Sequence, residues 1–224
     1  MSITLTEPTR RGAPAEETRR RIEDTAERLF RTMGYQKTAV ADIARELGMS
    51  PANVYRFFPS KSAINEAIAA RMLRGVEADL WAIARGPGTP PERLRSLLRT
   101  LQERHLGLFF AERRLHDMVT AAMAEHWGVV ERFIHGVRTA IRHVLIDGMV
   151  SGDFGRLDPD ATATLIKQAV MVFVHPVLIA ECNCAAPSGG GNCAVPSGGN
   201  AMSEADLAAQ LDAMVTFLLR ALRP

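Results

Sequence analysis

The chain has 224 residues, 47% apolar and 23% charged, with aromatics at only 6%; it is long enough to bury a core without staples, and its composition leans helical. The net charge of +2 is uneven: residues 1–74 carry 13 Lys and Arg against 9 Asp and Glu, leaving 14 against 16 for the rest, so the amino-terminal end is the one suited to phosphate. Three cysteines crowded into residues 182–193 exclude a disulfide framework. The first fifteen residues lack the apolar core of a signal peptide, and the longest apolar stretch, Ala169 to Ala180, is too short to span a bilayer and holds His175 and Pro176. A cytoplasmic protein with no membrane partner is expected.

From Glu16 to Met33, apolar Ile22, Ala26, Leu29, Phe30 and Met33 share one face of a helical period, and Gly34 suits the left-handed position that ends a helix. A short second helix is predicted from Thr38, its hydroxyl as cap, with Val40, Ile43, Ala44 and Leu47 buried and Gly48 as breaker. Ser50-Pro51 starts a third helix, because serine accepts a bond at the cap and proline at the first position loses no needed donor. Ser60 caps a fourth running through Ile64, Ile68 and Met72 toward Trp81.

After the Gly86–Pro91 break, helical periodicity resumes near 91–108, 111–124, 127–150, 159–181 and 203–222, with no convincing strand. The expected fold is all-α with about nine helices. Asp158-Pro159 opens one segment, and Ser203 with Asp206 forms a capping box at the last. Residues 183–200 read NCAAPSGGG then NCAVPSGGN, a tandem nine-residue duplication with two differences. It reads as a flexible loop between the last two helices.

The functional signal lies in Thr38 to Lys61, TAVADIARELGMSPANVYRFFPSK. Two short helices joined through a glycine turn hold the second steeply across the first, so that it enters a DNA major groove. Val54 and Phe58 then face a core and Ser50, Ala52, Asn53, Tyr55 and Arg56 face outward. With Gly34-Tyr35 before it, the spacing T-x-x-x-x-I-A-x-x-x-G-x-S and V-Y-x-x-F-x-x-K resembles the TetR family over residues 18–72, and GMVSGDFGRLDPDATATLI at 148–166 continues the likeness more weakly.

The resemblance implies a flexible basic tail at 1–17, a helix-turn-helix domain at 18–74, and a larger effector-binding and dimerisation domain at 75–224. It implies double-stranded operator DNA as partner, with Thr38 and Ser50 at helix starts near phosphates, Pro51, Ala52 and Asn53 toward the groove, and Tyr55 and Lys61 on phosphates. Asn53 is the candidate for reading adenine with its carboxamide, and Arg56 for guanine or a phosphate. Taken singly, Tyr55 is a packing residue and Lys61 a solvated charge; the ordered spacing carries the reading. Arg10 and Arg11 read as a solubilising tail rather than a minor-groove arm.

In the larger part, Leu207, Leu211, Met214, Val215, Leu218 and Leu222 form one apolar stripe, and Phe173, Val174, Val177 and Leu178 belong to another. Two such helices from each copy build a four-helix homodimer interface, unless both stripes cover an intramolecular core. His105, Phe109, Phe110, Met118, Met123, Trp127, Phe133, Phe173 and His175 are candidates for lining an effector pocket for an apolar or aromatic small molecule. The resemblance makes repression, relieved by that effector, the default mode. One alternative keeps DNA binding and makes Cys182, Cys184 and Cys193 a metal or thiol sensor; another is a helical carrier without operator. No nucleophile elbow, H-E-x-x-H, P-loop or dinucleotide fingerprint is present, so no catalytic residue, cofactor or resident metal is expected.

Overall fold

The computed structural model describes residues 13–110, 127–174 and 203–224, with side chains described for 14–107, 128–174 and 203–224. Within them the chain is all-α: α1 (Ala13–Met33), α2 (Val40–Glu46), α3 (Pro51–Tyr55), α4 (Lys61–Ala84), α5 (Pro90–Phe110), α6 (Trp127–Ser151), α7 (Pro159–Ala169), α8 (Met171–Val174) and α9 (Glu204–Ala221). The helical stretch expected near 111–124, the tail at 1–12, and the duplicated loop with its cysteines lie outside the described residues.

α1 buries Ile22, Ala26, Leu29 and Phe30 and ends at Gly34, whose φ of +94° is the left-handed conformation its sequence position demanded. Met33, counted on the same stripe, is exposed. The start of α2 also differs from expectation. Its N-cap is Ala39, whose N–H is taken by Asp42 Oδ2 at 2.9 Å, while the Thr38 hydroxyl donates back to the Gly34 carbonyl at 2.9 Å. A carboxylate three residues into the helix competes for the free amide, and the threonine is turned inward.

α4 is shared by two cores. Ile64 and Ile68, with Met72 beside them, pack with Phe30, Ile43, Val54 and Phe58 from α1 to α3 and the turn after it; Val76, Leu80 and Ala84, with Leu73 beside them, pack with Leu94, Leu97, Val137, Ile141 and Ile166. Each fully buried Phe or Ile contributes roughly 1.5–3 kcal/mol, so both ends of this helix are strongly held. An ion-pair cluster adds to the small unit: Arg71 on α4 reaches Asp24 Oδ1 at 2.6 Å, Glu27 Oε2 at 2.6 Å and Glu23 Oε2 at 3.5 Å on α1. Burial alone would lower the Arg71 pKa, but Glu27 and Asp24 outweigh it and the net direction is upward.

The larger unit is fastened at the points marked by capping chemistry. Asp158 Oδ1 accepts from the N–H groups of Asp160 and Ala161, and Ser203 and Asp206 form the reciprocal box. The α6–α7 turn depends on Gly148: a Cβ there would overlap the ring of Phe154, which is 3% exposed and belongs to the main core. Gly155 N–H then bonds the Leu222 carbonyl at 2.8 Å, tying the turn to the end of α9. The stretch expected as one helix over 159–181 breaks at Val170 (φ −90°, ψ 0°), six residues before Pro176. The Phe173 N–H bonds the Val170 carbonyl across the break, and α8 follows.

Candidate nucleic-acid interface

The α2–α3 turn is built from backbone rules. Gly48 sits at φ +65°, and Met49 N–H closes the turn on the Ala44 carbonyl at 2.9 Å. Ser50 Oγ accepts from Asn53 N–H at 3.3 Å, and Pro51 fills the first helical position. With Val54 and Phe58 buried at 0% and 1%, the opposite side of α3 is turned outward: Pro51, Ala52, Tyr55 and Arg56 are all exposed, Tyr55 by 50%.

Three expected contact residues have contacts within the protein. Thr38 is 2% exposed, its hydroxyl on the Gly34 carbonyl, so its side chain faces the protein rather than a phosphate. Lys61 places Nζ 2.9 Å from the Tyr35 carbonyl and 4.4 Å from the Tyr35 ring centroid, where it fastens the start of α4 to the α1–α2 turn. Asn53 is half-buried and turns its amide back to the Met49 thioether at 4.0 Å.

Between these turns lies an open groove of about 430 Å³, walled by Gln36–Val40 on one side and by Tyr55, Pro59, Ser60 and Lys61 on the other. It brings Tyr55 and Lys61 together with Lys37 and the start of α4, a basic, donor-rich concavity suited to a phosphate. Gln36, Lys37 and Pro59 were not singled out from sequence; their signal is only adjacency to the Gly-Tyr and F-x-x-K positions. Nor was Arg19, which donates to the Phe57 carbonyl at 2.9 Å and lies 4.0 Å from the Phe58 ring centroid. It holds the chain just beyond α3. Asp42 is kept below the usual carboxylate range, by the Ala39 N–H first and the Arg45 guanidinium second, so the acid that caps α2 stays ionised.

In the larger unit, His105 and Phe133 meet edge to face with ring centroids 5.8 Å apart, and Phe173 packs half-buried on the core. The side chains of Phe109 and Trp127, and Met123, His175 and Val177 entirely, lie outside what is described. Gln102, a polar residue on the buried face of α5 that sequence reasoning passed over, is 2% exposed and donates to the Leu207 carbonyl at 3.1 Å. The stripe expected to meet a second copy faces this chain's own core at Val174, Leu207 and Leu211, with Met214 and Leu218 packed at its margin. Among the described residues of α7 to α9, the large apolar side chains turned outward are Leu165 on α7 (64% exposed), Val172 on α8 (48%) and Phe217 on α9 (67%). A broad stripe has two flanks, and burial of one in the protomer leaves the other outside.

Residues 22–68 match the family described as bacterial regulatory proteins, tetR family, and residues 90–187 match the tetracyclin repressor-like C-terminal domain. The HTH-type transcriptional regulator BetI of Brucella canis is 34% identical over 80 residues, a match spanning 36% of this chain and 40% of that protein's length. Two solved structures share the fold. A TetR-family transcriptional regulator of Pectobacterium atrosepticum is 23% identical, with a TM-score of 0.67 over 96% of this chain and 98% of its own. The regulator FadR of Bacillus subtilis, solved with stearoyl-CoA, is 15% identical, with a TM-score of 0.59 over 91% and 99%.

Proposed function

The chain belongs to the TetR family of transcriptional regulators, and from that premise we propose that it is a homodimeric, sequence-specific repressor released from its operator by a small organic effector. The observation that carries the reading is α3: capped by Ser50, anchored by buried Val54 and Phe58, and presenting Pro51, Ala52, Tyr55 and Arg56 to the outside. Such a helix fits a major groove, with Tyr55 and the groove around Lys61 taking phosphates and Asn53 and Arg56 reading bases. One five-residue helix reads too few base pairs to specify a site, so a two-fold dimer places two of them roughly 34–36 Å apart. Leu165, Val172 and Phe217 supply the apolar surface that a second copy covers.

The effector reading rests on α4. Because one continuous helix is packed into both cores, a ligand that repacks the larger domain around His105, Phe133 and Phe173 re-aims the smaller one, provided that it binds the two arrangements unequally. The shared fold of a regulator solved with stearoyl-CoA supports an organic effector. Residues 1–17, 18–74 and 75–224 serve as tail, DNA-binding domain and effector and dimerisation domain, and no catalytic step is assigned.

Fluorescence-anisotropy titration of the full chain with DNA from immediately upstream of its own gene and from a binding-site selection, against scrambled DNA at two salt concentrations, tests the proposal. Binding that survives scrambled competitor and is lost in Tyr55→Ala, with helicity preserved, is expected. Equal, salt-abolished binding to every sequence would refute a sequence-specific regulator.

A further inference from the structure

We infer that Met49 is a positioning residue that sets the base preference of Asn53, an inference resting on the assignment of Asn53 as the base reader. Asn53 Nδ2 faces Met49 Sδ at 4.0 Å, one helical turn back across the α2–α3 turn. The two backbones are fixed independently: Met49 by its N–H on the Ala44 carbonyl after the left-handed Gly48, and Asn53 by its N–H on the Ser50 carbonyl and hydroxyl. The two backbones therefore hold their places without depending on the contact between their side chains.

A carboxamide has two amide hydrogens. The one on the oxygen's edge and Oδ1 together make the donor-acceptor pair that matches adenine N7 and N6; the other points away from that edge. A thioether is a weak acceptor, but placed on that spare hydrogen it satisfies it and favours the arrangement in which Oδ1 and the remaining N–H look outward. Turned over, the same edge carries Nδ2 where Oδ1 stood, so it donates to guanine O6 and no longer accepts from adenine N6. Met49 thus selects adenine over guanine by restricting one torsion of its neighbour, without touching a base.

The test uses the full chain and duplexes selected from a random pool, with competition binding by wild type, Asn53→Ala, Met49→Leu and Met49→Gln to the selected site and to its single adenine-to-guanine variants. Fixing one rotamer-rich side chain is worth a factor of about 3 to 10. We expect one adenine per half-site whose preference is lost in N53A, an adenine-to-guanine ratio reduced by about that factor in M49L with unchanged non-specific binding and melting temperature, and recovery in M49Q, whose amide oxygen is a stronger acceptor. An M49L ratio within twofold of wild type overturns the inference while leaving Asn53 as reader. A reduced ratio that M49Q does not restore assigns the effect to packing and overturns it as well. If N53A changes no position selectively, the reading of Asn53 itself fails and takes the inference with it.

Discussion

Gly148→Ala puts two effects of opposite sign in competition. In the interior of a helix, replacing glycine with alanine stabilises by about 1 kcal/mol, because less backbone entropy is lost on folding. At position 148 the new methyl overlaps the Phe154 ring, a core residue whose own N–H is bonded to the Gly148 carbonyl at 3.0 Å. Overpacking of this kind costs about 1–3 kcal/mol, and full ejection of the ring approaches the roughly 3–5 kcal/mol of a Phe→Ala change. The clash wins, with a net destabilisation of about 1–3 kcal/mol, or a melting temperature lower by about 2–12 °C in a chain of this length. Thermal and urea unfolding at fixed protein concentration measure it. The decisive comparison is the cycle with Phe154→Ala: once the ring is gone, Gly148→Ala should become neutral or stabilising. A stabilising effect in the wild-type background, or the same cost in both, would refute the argument that this glycine exists to admit the ring.

Three further outcomes follow from the same geometry. Arg71→Met leaves Asp24 without its cation and Glu27 and Glu23 with only Arg31 and Arg19 of their own helix, so the link between α1 and α4 is lost; because the site is partly exposed, a loss of about 1 kcal/mol is expected, seen by circular dichroism as an earlier transition, and an unchanged curve would sink the cluster as a fastening. Phe217→Asp places a charge on the outward face of α9, so sedimentation velocity should show a shift to monomer with loss of operator binding, whereas an intact dimer would move the interface elsewhere. Asp206 is held below its ordinary value of 3.8 by the Ser203 hydroxyl first and its N–H second. A depressed carboxylate contributes stability above that ordinary value and loses it as pH falls through the lowered one, so the protection of α9 amides by wild type over Asp206→Ala should be present at pH 5 and vanish at strong acid. Hydrogen exchange that shows an equal gap at both would exclude the box as its source.

How much was legible in the sequence depended on how local the cause was. Ser50-Pro51, Ser60, Asp158-Pro159 and Ser203 with Asp206 act within a few residues, and each starts a helix as read. The family and the helix-turn-helix were legible for the same reason, since a glycine turn and the spacing of buried Ile43, Val54 and Phe58 are short-range facts. Thr38 is not the cap because its hydroxyl is bonded to the Gly34 carbonyl, while Asp42, four residues on, takes the Ala39 N–H and moves the cap to Ala39.

Direction was set by packing between distant elements. Periodicity says that α9 has an apolar side, but not whether Leu207 and Leu211 or Phe217 meet this chain's own core; α5 and the short α8 arriving from one side settled it, burying the first two and leaving the third outside. The same holds for Lys61, whose sequence position suggests a phosphate while its ammonium rests on Tyr35, 26 residues back. Local hydrogen-bond chemistry and hydrophobic period are carried by neighbours along the chain and can be read there; which flank of a helix meets the core is set by elements tens of residues away and cannot.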